Sequence, residues 1–153
     1  MTDMEKVKIH GVPETMMQTL FARAAHSQKK EHKFYDAKAI EIVKQLDYDF
    51  SKAEKDAAMS SGVIARTILL DQMVGAFLEE HPDATVVNIA CGLDTRVYRL
   101  DNGQVRWYNL DLPEVIDIRQ VQIVPANLSI IQPVDPCIQA TGDINNSCIR
   151  MFL

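Results

Sequence analysis

Apolar positions Met16, Leu20, Phe21 and Ala24 recur at helical spacing behind Pro13, a residue suited to a first helical turn, so a helix is predicted there. Lys29-Lys30-Glu31-His32-Lys33 then breaks the pattern and reads as a solvated helix end or loop rather than a basic binding patch. Beyond Phe34-Tyr35-Asp36 a second helix is predicted, with Ala39, Ile40, Val43 and Leu46 on one face, ending around Tyr48-Asp49-Phe50-Ser51. A third runs from about Ser60 to Glu80, capped by Ser60 or Ser61, with Ile64, Ile68, Leu69, Met73, Phe77 and Leu78 apolar. Gly75 inside it is a modest local cost relative to alanine.

At Ala84 the period changes. Thr85-Val86-Val87-Asn88-Ile89-Ala90 is short, β-branched and bounded by Pro82 and Gly92, as a buried parallel strand is. Asp94 can cap a short helix opening at Thr95 and closing near Leu100. Asp101-Asn102-Gly103 is a turn signal, and Val105 to Leu110 reads as a second strand ending on Asp111. Leu112 to Arg119 is a helix with Pro113 near its start. From Val121 to Leu153 only Asp135, Asp143 and Arg150 are charged, and Pro125, Pro133 and Pro136 interrupt the chain. Val121 to Val124 and Leu128 to Ile131 are possible short strands, with no third βα unit in evidence. Two domains of behaviour are therefore expected: residues 1–119, and an atypical, poorly ordered tail over residues 120–153.

Composition narrows the function classes. A net charge of −5 argues against a nucleic-acid groove, which needs a basic face. No apolar run is expected to reach the roughly 20 residues of a membrane span, and the charged N-terminus has no secretory core. Cys91, Cys137 and Cys148 form no metal-ligand pattern with the four histidines, so no metal is expected, and a reduced, cytoplasmic protein is the natural inference.

The loop between the two strands carries the chemistry. Asp111 follows Gly92 by 19 residues, the spacing at which an acid closing the second strand can hydrogen-bond a ribose. A dinucleotide site wants three glycines, whereas Ala90-Cys91-Gly92-Leu93-Asp94 has one, and Asp94 sets negative charge where a diphosphate would lie. A cofactor with a ribose, no phosphate and a cationic centre fits better, and S-adenosylmethionine is such a molecule. Gly92 as a plain turn and Asp94 as a plain cap is the competing reading. Arg66, early in an otherwise apolar helix, is either a bidentate clamp on a carboxylate or an exposed or ion-paired arginine.

These segments together resemble the leucine carboxyl methyltransferase family, and within it the tetracenomycin-type polyketide O-methyltransferases. The resemblance rests on GVPETMMQTLFARA, FYDAKAIEIV, SGVIARTILLD, VVNIACGLDTRVYRLD and RWYNLDLPEVI in that order, over roughly residues 7–119. It implies an α/β fold: N-terminal helices followed by the first half of a class I, Rossmann-like methyltransferase sheet, incomplete. It implies that Arg66 holds the methionine carboxylate of S-adenosyl-L-methionine, that the backbone at Ala90, Cys91 and Gly92 passes beneath the methionine and ribose portions, and that Asp111 accepts the ribose hydroxyls. Arg23 is a second cationic candidate. Ala90 stands where the family usually has glycine, so its methyl crowds the cofactor unless the strand end shifts. Nothing after Arg119 is expected to match the family's continuation.

The leading expectation is an O-methyltransferase acting on a carboxylate or hydroxyl of a small-molecule acceptor, by in-line displacement at the sulfonium methyl. No catalytic base is assigned, because His10, His26, His32 and His81 all stand in polar or helix-end contexts. The alternatives are a truncated, inactive fragment that at most binds cofactor, and an NAD enzyme of Rossmann type. Neither the acceptor's identity nor the oligomeric state is encoded legibly.

Overall fold

The computed structural model describes the backbone of residues 7–8, 14–123 and 149–152, and the side-chain surroundings of residues 14–119. Val7–Lys8 (β1) leads to helix α1 (Glu14–Ser27), where the apolar spacing predicts it, and to helix α2 (Ala37–Gln45), which ends earlier than expected because Leu46 leaves it for a strand. Asp36 starts α2, its Oδ1 accepting the Ala39 amide at 2.9 Å. The facing apolar residues Met16, Met17, Leu20 and Ala24 of α1 and Ala39 and Ile42 of α2 are buried together with Leu93 and Val115. Leu46–Asp47 (β2) pairs in parallel with β1.

A five-residue helix, α3 (Ser51–Lys55), follows and was not expected. It is too short to show a periodicity, and its local signal is Asp49, which accepts from both the amide and the hydroxyl of Ser51. Helix α4 (Ala57–Glu80) begins three residues before Ser60 because Asp56, not Ser60 or Ser61, caps it through the Met59 amide at 2.9 Å. At 24 residues and a mean hydropathy of 1.3 over its apolar window, α4 is long and apolar enough to cross a membrane by length and composition alone. That corrects the expectation that no run approaches this length. Here α4 instead packs on α1 and on the sheet through Val63, Thr67, Val74 and Leu78, and it carries Asp71 within a set of ion pairs.

The strand over Thr85–Ile89 (β3) is central. It pairs in parallel with Arg106–Leu110 (β4) on one side and Ile149–Phe152 (β5) on the other. Between β3 and β4 lies helix α5 (Val97–Leu100), which opens two residues later than expected. Asp94 still accepts the Arg96 amide at 3.2 Å, but as a turn bond ahead of the helix. Val86 and Trp107, each 2% exposed, join Val74, Leu78, Ala84, Val97 and Val105 in a second core under α4. Burying such side chains stabilises the packing by about 1.5–3 kcal/mol apiece.

Two expectations about the end of the chain need correction. Val121–Ile123 is not a strand, because helix α6 (Pro113–Ile123) continues through it. The tail also contributes β5, so the sheet has a third strand among the described residues where two were expected. The expected strand at Leu128 to Ile131 lies outside the described residues. What results is a mixed α/β architecture with a small parallel sheet, whose β3 delivers its C-terminal end to the loop that follows.

Candidate functional site

Two consecutive constraints bend the chain where β3 ends. Ala90 has φ +53° and Gly92 φ +48°, the left-handed region that costs a residue with a Cβ roughly 1–2 kcal/mol. Gly92 also has no room for a side chain at ease, since a Cβ there would lie 3.2 Å from Cγ and Sδ of Met16. The bend folds the loop back over the end of β4. The Cys91 amide donates to the Leu110 carbonyl at 3.2 Å, and the Gly92 amide donates to Asp111 Oδ2 at 2.7 Å. The other carboxylate oxygen of Asp111 accepts the Leu112 amide at 2.8 Å. Each oxygen retains lone-pair capacity toward a ligand hydroxyl.

Arg119 of α6 completes the loop's support. It is 1% exposed, and one of its terminal nitrogens donates to the Gly92 carbonyl at 2.9 Å, so both faces of the Gly92 residue are held. Its Nε finds no partner among the described residues. The sequence reading passed over Arg119, and its helix position alone carries no sign of a contact 27 residues back along the chain.

A hollow of about 680 Å³ opens between α1, α4 and this loop, within the range of small-molecule sites. Arg66, Ala90, Cys91, Gly92, Asp111 and Arg23 all border it, as do Thr15, Thr19 and Asn88. Their roles in it differ. Arg66 is exposed and makes no hydrogen bond or ion pair among the described residues, whereas the other arginines of the region are all engaged. Arg23 is buried and turned inward: it donates to Asp36 Oδ2 at 3.2 Å, to the Thr19 carbonyl at 3.2 Å and to the Leu93 carbonyl at 2.7 Å. Burial pulls its guanidinium below the usual value, against the attraction of Asp94 and Asp36. Cys91 presents backbone rather than chemistry, because burial pushes its thiol up to about 11.

Asp94 also borders the hollow, but its charge is taken up by protein partners rather than left open to a ligand. Its carboxylate takes Arg96 at 2.9 Å and Asn88 Nδ2 at 3.0 Å, and Asn88 in turn donates to Asn109. Burial would raise its pKa, yet Arg96, Arg23, Arg99 and Arg119 together hold it below the ordinary carboxylate range. Asp94 is thus a neutralised structural anion, and it weighs less against a diphosphate than expected. The single glycine and the carboxylate of Asp111 at the rim are what continue to favour a ligand offering hydroxyls there.

Behind the loop runs a chain of alternating charges: Arg23–Asp36 at 3.2 Å, Asp36–Arg99 at 2.7 Å, Arg99–Asp71 at 2.7 Å, Asp71–Arg96 at 2.8 Å and Arg96–Asp94 at 2.9 Å. Thr95 also donates its hydroxyl to Asp36. Sequence reasoning missed Asp36, Asp71, Arg96 and Arg99, whose pairings with one another span 25 to 63 residues. Among the described residues no histidine borders the hollow and no group of acids, histidines and cysteines forms a metal site. His10 lies outside the described residues.

The family model for leucine carboxyl methyltransferase matches residues 16–140 of this chain. The match passes Arg119, so the likeness reaches further than the segments legible by eye. The chain is 40% identical over 116 residues to the tetracenomycin polyketide synthesis O-methyltransferase TcmP of Streptomyces glaucescens, covering 75% of this chain and 43% of that protein. It is 35% identical over 135 residues to the S-adenosyl-L-methionine-dependent methyltransferase dpfgK of Gibberella zeae, covering 81% of this chain and 45% of that protein. The chain thus spans about half the length of the curated relatives it matches.

Proposed function

This chain belongs to the leucine carboxyl methyltransferase family, and from that premise we propose that its hollow binds S-adenosyl-L-methionine for methyl transfer to an oxygen of a small molecule. The observation that carries the reading is that an Arg66 guanidinium with no partner among the described residues and the fixed Asp111 carboxylate border one hollow. One group offers a bidentate cation to an amino-acid carboxylate, and the other offers acceptors to ribose hydroxyls. Ala90, Cys91 and Gly92 provide the close backbone surface between them. Arg23 acts here through the Leu93 carbonyl, holding the loop rather than the ligand.

When bound, the cofactor supplies the activated methyl group on its sulfonium. The work left to this chain is to orient the donor and exclude competing poses. The domain read over residues 1–119 is accordingly a helical segment plus the N-terminal half of a Rossmann-like cofactor domain. Residues 120–140 share the family match, so the boundary expected at Arg119 is not carried forward. Both relatives' names support methyl transfer, and the polyketide O-methyltransferase name of one supports an oxygen of a small molecule as the acceptor, read here as a carboxylate or hydroxyl.

Titration calorimetry of the whole chain with S-adenosyl-L-methionine and, separately, NADH tests the reading. Binding of the first alone is expected, and Arg66→Ala and Asp111→Ala each weaken it by about 1–3 kcal/mol, the range for a charge-assisted hydrogen bond. Unchanged affinity in both variants, or preference for NADH, overturns it. Transfer of labelled methyl to a panel of carboxylic acids and phenols then reports whether these residues turn over or only bind.

A further inference from the structure

Arg66 borders the cofactor hollow from a helix that is thinly anchored. Of the 24 residues of α4 only Val63, Thr67, Val74 and Leu78 are buried, and Leu69 and Met73 are 57% and 51% exposed. Val74 and Leu78 sit in the core beneath the sheet, at the C-terminal half of the helix. Arg66 lies in the other half, where Thr67 spends its hydroxyl on the Val63 carbonyl of the same helix. Among the described residues no side-chain hydrogen bond or ion pair joins residues 57–70 to another element, so that half rests on α1 by packing.

Asp71 stands between the two halves. Its Oδ1 accepts Arg96 Nε at 2.8 Å and a terminal nitrogen of Arg99 at 3.0 Å, and its Oδ2 accepts Arg99 Nε at 2.7 Å. The side chains of Asp71, Arg96 and Arg99 are 15%, 13% and 10% exposed, so these are not loose surface pairs. Arg99 passes the connection to Asp36 and Arg96 passes it to Asp94. The helix that carries Arg66 is therefore tied, through one carboxylate, to the segment that carries the glycine loop.

We infer that Asp71 is a positioning residue, holding α4 in the rotation and height at which Arg66 meets the carboxylate end of the cofactor bound at the glycine loop. The inference rests on the reading of the hollow given above. Arg66 has no partner among the described residues to hold it in place, so its direction follows the helix. Among the described residues, the ion pairs that join the helix to the loop's surroundings all pass through Asp71.

The test compares two probes on the full chain: S-adenosyl-L-methionine, and 5′-methylthioadenosine, which keeps the nucleoside and lacks the amino-acid carboxylate. Asp71→Asn is expected to weaken the first about tenfold and the second by less than about twofold, because only the first engages Arg66. In the Arg66→Ala background Asp71→Asn is expected to add nothing, the signature of two residues acting through one contact. Equal loss on both probes, no loss on either, or additive losses overturns the inference. If Asp71→Asn does not fold, Arg99→Lys, which removes the paired donors to Asp71 and keeps the charge, carries the same comparison. A wild-type chain that binds neither probe, or an Arg66→Ala loss equal on both, overturns the reading of the hollow itself. A selective Arg66→Ala with an unselective Asp71→Asn overturns only the positioning role.

Discussion

The Gly92 amide donates to Asp111 Oδ2 at 2.7 Å, joining residues that stand 19 apart in the chain. That bond sets where the loop lies relative to the acid, so the glycine bend and the strand-end carboxylate are held in register with each other. Arg119 holds the same residue from its carbonyl side. Asp111 and Arg119 thus converge on one residue from its two sides, and the conformation of that residue follows from its lack of a side chain.

Gly92→Ala places a Cβ in the left-handed region and 3.2 Å from the end of Met16. The Met16 side chain can yield, so the backbone strain dominates. A loss of about 1–2 kcal/mol in urea unfolding is expected, along with weaker cofactor binding as the bond to Asp111 is displaced. Unfolding curves superimposable on wild type contradict the assigned strain.

Ala90 holds the same conformation while carrying a methyl group, at φ +53°. Ala90→Gly relieves that strain and loses part of the gain to the greater freedom of the unfolded chain. A net stabilisation of about 0.5–1 kcal/mol is expected. The substitution also widens the hollow beside Ala90. A lower melting temperature in the glycine variant would refute this account of the bend.

Asp36 is 1% exposed and gathers Arg23, Arg99 and Thr95 on one oxygen. Asp36→Ala leaves Arg23 with carbonyl partners but no carboxylate, takes one of two carboxylates from Arg99, and removes the cap of α2. Breaking one side of such a buried set costs about 3–5 kcal/mol, enough to leave much of a marginally stable domain unfolded. Far-ultraviolet circular dichroism of the variant measures this directly, and a native spectrum with an unchanged melting point rules it out.

Asp94 governs a pH dependence. Its folded pKa is below the unfolded value of 3.8, because Arg96, Arg23, Arg99 and Arg119 outweigh the opposing effect of burial. The folded state then binds fewer protons than the unfolded one. The stabilisation is complete above the unfolded pKa and is lost as pH falls through the lower folded value. Asp94→Asn is expected to reduce stability at neutral pH and to flatten its decline below about pH 4. Parallel acid-unfolding curves for the two proteins would show that Asp94 contributes nothing to it.

Cys91 is 4% exposed with a thiol raised to about 11, so roughly one molecule in a thousand carries its thiolate at pH 8. Iodoacetamide followed by site-resolved mass spectrometry is expected to modify Cys91 far more slowly in the native chain than in urea. Equal rates in the two conditions would place the thiol in solvent.

Local pattern was enough for helix α1, for the bodies of α2 and α6 though not their ends, and for the two strands around the glycine loop. Those signals are carried by near neighbours: apolar period, a bend glycine, an acid at a strand end. The start of α4 was misplaced because several residues near it can cap, and only the fold selects Asp56. Tertiary structure alone decided the third strand, the inward turn of Arg23, the neutralisation of Asp94 and the tie from Asp71 to Arg96 and Arg99. The third strand and the ties of Asp71 and Arg23 depend on partners far along the chain, while Asp94 is also paired by its near neighbours Arg96 and Asn88. An isolated aspartate reads the same in sequence whether it meets water, an amide or an arginine, and packing is what makes that choice.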